Sequence, residues 1–287
     1  MLTDKLKSWP QYLMPGHALS RLTHRLTRCE VSWFKNGAIR HFCRLFQVDM
    51  GAAQRQSPHQ FRHFNDFFTR ELRPESRPIA TDIDGLISPV DGSVSQYGPI
   101  RQGRMIQAKG RDFSVAELLG ESHPINARHY QQGQFITLYL SPRDYHRIHI
   151  PLDATLTAMS YIPGRLFSVN PATARTIPKL FARNERVVAH FATPFGKLAL
   201  IMVGAVNVGS IETLWAGEIT PPAGKQIHHW HYVDTPATHF TKGEEIGRFN
   251  MGSTVILLLQ RARLDWSEGV QSPAARLQMG QLIARFH

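Results

Sequence analysis

Leu19, Leu22, Leu26, Cys29 and Trp33 recur at alternating spacings of three and four residues, which places them on one face of a helix. Arg21, His24, Arg25 and Arg28 fall largely off that stripe. A second stripe runs through Ile39, Phe42, Leu45 and Phe46, with Arg40 and Arg44 between its members and Lys35 one turn ahead of them. Asn65 to Leu72 reads as a short helix that Asn65 caps, with Phe64, Phe67, Phe68 and Leu72 on its apolar face and Pro74 marking its end. Beyond about residue 85 the period shortens. The stretches LISPVDGSV, FITLYL, IHIPLDATL, VVAHFA, KLALIMVGAVNVGSI and STVILLLQ alternate with Gly and Pro, a spacing that predicts antiparallel strands instead of repeated βαβ units. The tail from Ala274 to Phe286, with Leu277, Leu282, Ile283 and Phe286, predicts a final short helix. The expected fold class is α+β: N-terminal amphipathic helices over residues 1–75, then a mostly antiparallel β-rich domain of catalytic size over residues 76–287.

Composition narrows this picture. A chain of 287 residues, 42% hydrophobic and 10% aromatic, is long enough for a sizeable core and too apolar for a disordered tail. Its longest nearly uninterrupted apolar runs, Leu198 to Val206 and Val255 to Leu259, fall far short of the ~20 residues of a membrane-spanning helix. Met1 to Pro15 mixes Asp4, Lys5 and Lys7 with scattered apolar residues, unlike a secretory signal. Cys29 and Cys43 are too few for a disulfide framework, which points to a reducing compartment.

Charge then asks for an anionic partner. The net charge is +11, and residues 1–50 hold eight lysines and arginines against Asp4, Glu30 and Asp49. No DNA-reading motif, RNP-like segment or zinc-finger spacing is present, so nucleic acid is not the expected partner. Basic amphipathic helices lie well in the headgroup layer of an anionic membrane. Most such stripes pack on the rest of their own protein. Pattern alone leaves both outcomes open.

Three segments set reactive groups among apolar ones. Ser88-Pro89-Val90-Asp91-Gly92 offers a carboxylate in a turn, where its ordinary role is to bond the turn backbone. Tyr145-His146-Arg147-Ile148-His149 offers two histidines, which in a regular strand would point to opposite faces and need a turn or bulge to share a role. Phe249-Asn250-Met251-Gly252-Ser253-Thr254 offers a hydroxyl before a buried-looking strand. Asp91, His149 and Ser253 are an acid, a base and a hydroxyl of the types a Ser-His-Asp relay uses, although no G-x-S-x-G elbow is present. No third ligand by spacing joins His146 and His149, and alternating His228, His229 and His231 fit an exposed strand or loop better than a metal site, so no metal is expected.

In these segments the chain closely resembles the phosphatidylserine decarboxylases of the bacterial membrane-associated type. FNDFFTRELRPESRPI from Phe64, SPVDG from Ser88, YLSPRDYHRIHIP from Tyr139, PGRLFSVNP from Pro163 and FNMGSTVILL from Phe249 follow in the family's order over nearly the whole chain. The family's usual LGST reads MGST here, a conservative change away from the reacting atoms. The resemblance implies a chain that cleaves itself between Gly252 and Ser253. The Ser253 hydroxyl, activated by His149 with Asp91 orienting it, attacks the Gly252 carbonyl, and elimination from the resulting ester leads through dehydroalanine to a pyruvoyl group. It further implies a Schiff base between that pyruvoyl group and phosphatidylserine, loss of CO2 into the electron sink, and phosphatidylethanolamine as product. His146 is then the expected proton donor to the α-carbon, and Ser168 and Asn170 in FSVNP the expected substrate loop. Large and small chains cut from one precursor, a homodimer, and a peripheral place on the cytoplasmic face of the bacterial cell membrane complete the expectation. A pyruvoyl enzyme acting on a soluble amino acid, and a catalytically silent lipid-binding protein, are the competing readings.

Overall fold

The computed structural model describes residues 4, 8–12, 15–120, 126–206, 210–220, 224–250, 254–260, 263–272 and 274–287. Two helices lead, α1 (Gly16–Thr27) and α2 (Ser32–Phe46), followed by the single-turn α3 (Phe64–Phe68). The continuous stripe from Leu19 to Trp33 is therefore broken. Arg28 closes α1, and its guanidinium and the His24 ring both reach Glu218, at 2.7 and 2.9 Å, tying the helix end to the β-rich part of the chain. In α1 the buried side chains are Ser20 and Thr27, while Leu22 and Leu26 are 53% and 50% exposed. In α2 Ile39 is buried, and Phe42 packs with Phe61, Phe64, Phe67 and Phe68, but Trp33 and Leu45 remain 79% and 62% exposed. Packing thus claims one part of the second stripe and almost none of the first.

The short helix α3 corrects a further expectation. His63, not Asn65, is its cap: the His63 ring accepts from the Asp66 main-chain N–H at 3.0 Å. Asn65 is buried inside the helix, and its side-chain amide donates to Asn250 at 2.9 Å. The helix stops at Phe68, short of Leu72.

Nine strands position the region of interest: β1 (Gly92–Pro99), β2 (Gln134–Tyr139), β3 (Arg147–His149), β4 (Ala154–Ile162), β5 (Arg186–Thr193), β6 (Gly196–Val203), β7 (Ile211–Thr213), β8 (Glu245–Phe249) and β9 (Thr254–Leu259). The main sheet runs His228–His231, β4, β5, β6, β9, β2, β1, Arg276–Leu277, with His239–Phe240 also on β4. A smaller sheet runs Gly217–Glu218, β7, β8, β3. All strand pairs of both sheets are antiparallel, as the punctuated pattern predicted.

Every residue of β9 is buried, which explains its unbroken apolar run. Val255, Leu257 and Leu259 enter one core, Ile256 and Leu258 the other, because alternate side chains leave opposite faces of the sheet. The tail is not helical. Arg276–Leu277 pairs with β1, and Leu282–Phe286 pairs with both Gly85–Ile87 and Leu264–Trp266. Its buried Ile283 and Phe286 join the first core through that pairing.

Candidate active site

Strand register gathers the chemistry-bearing segments at one end of the main sheet. Arg276, Ser93, Tyr139, Thr254, Val203 and Arg186 lie side by side across neighbouring strands. Asp91 precedes β1 at this end, and Thr254 opens β9. Gly92 is required here, because an added Cβ would sit 2.7 Å from the Tyr139 carbonyl oxygen. Gly252 and Ser253, together with Met251, lie outside the described residues.

Asp91 is buried and fully engaged. Its carboxylate accepts from Arg77 Nε at 2.9 and 3.2 Å, from Arg77 Nη2 at 2.5 Å and from the Met279 main-chain N–H at 2.8 Å. This fork is a bidentate ion pair, and it holds the Arg77 guanidinium above its usual range. The role of turn-former falls instead to Ser88, whose hydroxyl donates to the Val90 carbonyl at 2.7 Å.

His149 stands against the same turn: its main-chain N–H donates to the Pro89 carbonyl at 2.9 Å. Its ring faces elsewhere. A carbonyl can only accept, so Nδ1 carries the proton donated to the Gly243 carbonyl at 2.7 Å. Nε2 is then a lone pair, covered by the Tyr145 hydroxyl at 3.0 Å. Burial lowers the pKa of this imidazole, opposed by the Gly243 bond and, more weakly, by the fields of Glu245 and Asp91. The ring has the tautomer of a general base. No hydrogen bond from the His149 ring to the Asp91 carboxylate is formed in this structure, and Gly243 supplies the orienting acceptor.

His146 precedes β3, and β3 meets β8 across a register shift between Glu245 and Gly247, the irregularity that the two-histidine spacing required. Its main-chain carbonyl accepts from the Phe249 N–H at 3.0 Å, so this histidine is fastened to the chain just before residues 251–253. The ring is fully buried, 4.1 Å from the Phe68 ring between centroids. Nδ1 donates to the Asp144 carbonyl at 2.8 Å, and Nε2 has no partner among the described residues. Burial takes its pKa down to about 3, and nearby Arg70 adds to that effect.

Four further buried polar atoms lack a partner among the described residues: Thr254 Oγ1, Asn65 Oδ1, and Nε and Nη1 of Arg70. Asn250 is engaged, accepting from Asn65 and donating to Ser210 and Glu212. Buried orphans of this kind are uncommon in native proteins and call for an explanation, a catalytic role among them. Sequence reading missed Arg77, Arg70, Tyr145, Gly243 and Asn65 as site groups. Tyr145 stood out as part of YHRIH, and Asn65 stood out only as a helix cap.

Ser168 and Asn170 occupy their own loop. Asn170 caps the helix Pro171–Thr176 through the Thr173 N–H at 2.9 Å and donates to Ser168 Oγ at 3.0 Å. The Ser168 N–H donates to Gln11 at 2.8 Å. Their polar groups hold the loop's shape and its seam with the N-terminal segment. His228–His231 form an edge strand on β4, and among the described residues no three His, Cys, Asp or Glu side chains are placed to hold a metal.

Comparison with known proteins agrees over most of the chain. The phosphatidylserine decarboxylase family profile matches residues 64–285, and a second profile, described as PSD, matches residues 6–47. The chain is 50% identical over 286 residues to a phosphatidylserine decarboxylase proenzyme of Azotobacter vinelandii, covering 99% of each. It is 50% identical over 284 residues to that of Shewanella sp. strain MR-4, covering 98% of this chain and 97% of the relative. To the Alkalilimnicola ehrlichii proenzyme it is 53% identical over 255 residues, covering 89% and 88%.

Proposed function

The chain belongs to the phosphatidylserine decarboxylase family, and from that premise we propose that it cuts itself between Gly252 and Ser253 and turns over its lipid with His146. It is a proenzyme of a pyruvoyl-dependent lyase that converts phosphatidylserine to phosphatidylethanolamine and CO2. A pyruvoyl group supplies an electron sink for the carbanion left when CO2 departs. The surroundings suit such a group, because the described residues flanking 251–253 present buried, unpartnered polar atoms on Thr254 and His146.

Two histidines with different environments support a division of labour. His149 has a protonated Nδ1 fixed on a carbonyl and a basic Nε2, the form needed to take a proton from the Ser253 hydroxyl. Asp91 would aid it by its charge across the Pro89 turn. His146 is bare at Nε2 inside the protein and would manage the proton at the substrate α-carbon. Ser168 and Asn170 would act by shaping the substrate loop. The observation that carries this reading is the unpartnered Nε2 of His146, held to the segment that leads into Gly252-Ser253. Intact mass is the test: residues 253–287 are expected as a separate fragment whose mass shifts with hydroxylamine or borohydride, and a single unreactive chain would overturn it.

The N-terminal region, residues 1–75 in this proposal, docks the β-rich part, residues 76–287, on the membrane. Among the described residues no helix is long and apolar enough to cross one. The support is the exposure of Leu22 and Leu26 on α1 and of Trp33 and Leu45 on α2, apolar side chains among basic ones that packing within the chain leaves uncovered. We place it on the cytoplasmic face, where anionic lipid attracts that charge. A homodimer is part of the proposal on family resemblance alone. Replacing Leu22, Leu26 and Trp33 by serine is expected to weaken flotation with vesicles at least ~10-fold, since each such side chain is worth ~1.5–3 kcal/mol on burial. The loss should be greatest with anionic lipid at low salt. Unchanged flotation would refute docking by this face.

A further inference from the structure

Beside Asp91 lies a cavity of about 450 Å³ whose wall carries Arg70, Arg77, Arg143 and Arg276 against Asp49, Asp91 and Asp144. Two of these arginines are already neutralised. Arg77 is paired with Asp91, and Arg276 with Asp144. Asp49 turns its carboxylate to the Gly51 N–H at 2.8 Å. Among the described residues neither Arg70 nor Arg143 has a carboxylate partner. Arg70 is only 3% exposed, and of its guanidinium nitrogens only Nη2 is bonded, to the Arg143 carbonyl at 3.1 Å. Its Nε and Nη1 are orphaned. A buried guanidinium so poorly partnered weakens the fold unless an anion completes it. The Phe67 ring, 5.5 Å from the guanidinium carbon, holds it in place.

We propose that this cavity is an anion subsite in which Arg70 and Arg143 take the phosphodiester of the phosphatidylserine headgroup. The inference rests on the decarboxylase reading and adds to it the place of the phosphate. Arg70 joins the two halves of the argument, because it lines the cavity and is also close enough to His146 for its charge to bear on that ring. Only the P–O, O–Cβ and Cβ–Cα bonds separate phosphorus from the α-carbon of the headgroup. A phosphate on Arg70 would bring that carbon towards His146, whose ring does not itself line the cavity. The site matches the ligand in kind as well as in place, since guanidinium forks bind phosphate oxygens in pairs. A second cleft, lined by Arg62 and Arg248, is the alternative address, but it carries Asp66 and Glu212 as well and so offers no excess of positive charge.

The test uses the mature enzyme with phosphatidylserine in neutral detergent micelles, and soluble glycerophosphoethanolamine as probe. In the wild type the probe is expected to compete with the lipid, while ethanolamine, which lacks the phosphate, does not. Arg70→Gln and Arg143→Gln should each raise KM and the inhibition constant together by about 10- to 100-fold, with much smaller changes in kcat. Arg248→Gln should not. If Arg70→Gln fails to self-cleave on a gel, the exposed Arg143 decides in its place. Unchanged KM in Arg143→Gln, a rise confined to Arg248→Gln, or non-competitive inhibition would each overturn the subsite. Inhibition by inorganic phosphate or by phosphatidylglycerol as strong as by the probe would assign the cavity to another anion and overturn the headgroup assignment. A wild type that releases no CO2 would instead sink the decarboxylase reading, and calorimetric binding of the probe to wild type and Arg143→Gln would still judge the cavity.

Discussion

A Ser253→Ala protein is expected to run as one uncut chain and to release no CO2 from phosphatidylserine. The hydroxyl is the only nucleophile the proposed cut uses, and the same residue becomes the carbonyl-bearing end of the chain 253–287. Both functions vanish with one oxygen atom. The expected loss is therefore complete, unlike the partial loss that follows removal of a base. His149→Ala should slow the cut instead, because Nε2 of that ring is the lone pair best prepared to accept the hydroxyl proton. A denaturing gel reads both. Two bands from Ser253→Ala would show that the nucleophile lies elsewhere.

His146→Ala is expected to mature normally and then to turn over ~10²- to 10⁴-fold more slowly, the usual share of a positioned proton donor or acceptor. A mutant stuck as one chain would contradict the assignment. The pH dependence gives an independent check. The native ring stays neutral down to about 3, whereas in the unfolded chain it takes up a proton near the ordinary value of ~6.5. The folded-state pKa is thus the depressed one. The stability gained by burying a neutral ring is present above ~6.5 and is lost progressively as the pH falls towards 3. Melting temperature should accordingly fall further between pH 7 and pH 5 in the wild type than in His146→Ala. Equal falls would mean that the native ring is already charged. For catalysis the same burial requires that the bound anionic headgroup raise the basicity of His146, as opposite charge does.

The strands were legible wherever burial alone decides the pattern. Val255 to Leu259 is apolar throughout because both faces of β9 are covered, and Leu198 to Val203 behaves likewise in β6, while β5 is buried from Arg186 to Ala189 and opens at His190 and Ala192. The tail misled because periodicity sees only its own residues. Leu282 to Phe286 is a strand through partners at Gly85–Ile87 and Leu264–Trp266, the first of which lies far back in the chain. Asn65 misled for a related reason: its type suits a cap, but the amide is used across the fold by Asn250. In the site, residue types with reactive groups could be found in the sequence, and their partners could not. Nothing distinguishes Arg70 or Arg77 from Arg73 in RELRPESRP until folding buries one with two orphaned nitrogens and locks the other on Asp91.

The position of β9 has a consequence for the enzyme after it has cut itself. Everything from Thr254 onward sits on the far side of the proposed scissile bond, yet β9 is threaded between β2 and β6, and Arg276 and Met279 reach back to Asp144 and Asp91. The fragment thus behaves as an inserted strand that completes a split protein. Release would require tearing open the middle of the main sheet, so the two products should stay together through purification and part only under denaturing conditions. One covalent bond is surrendered at the sheet's end, and the architecture makes that loss mechanically silent.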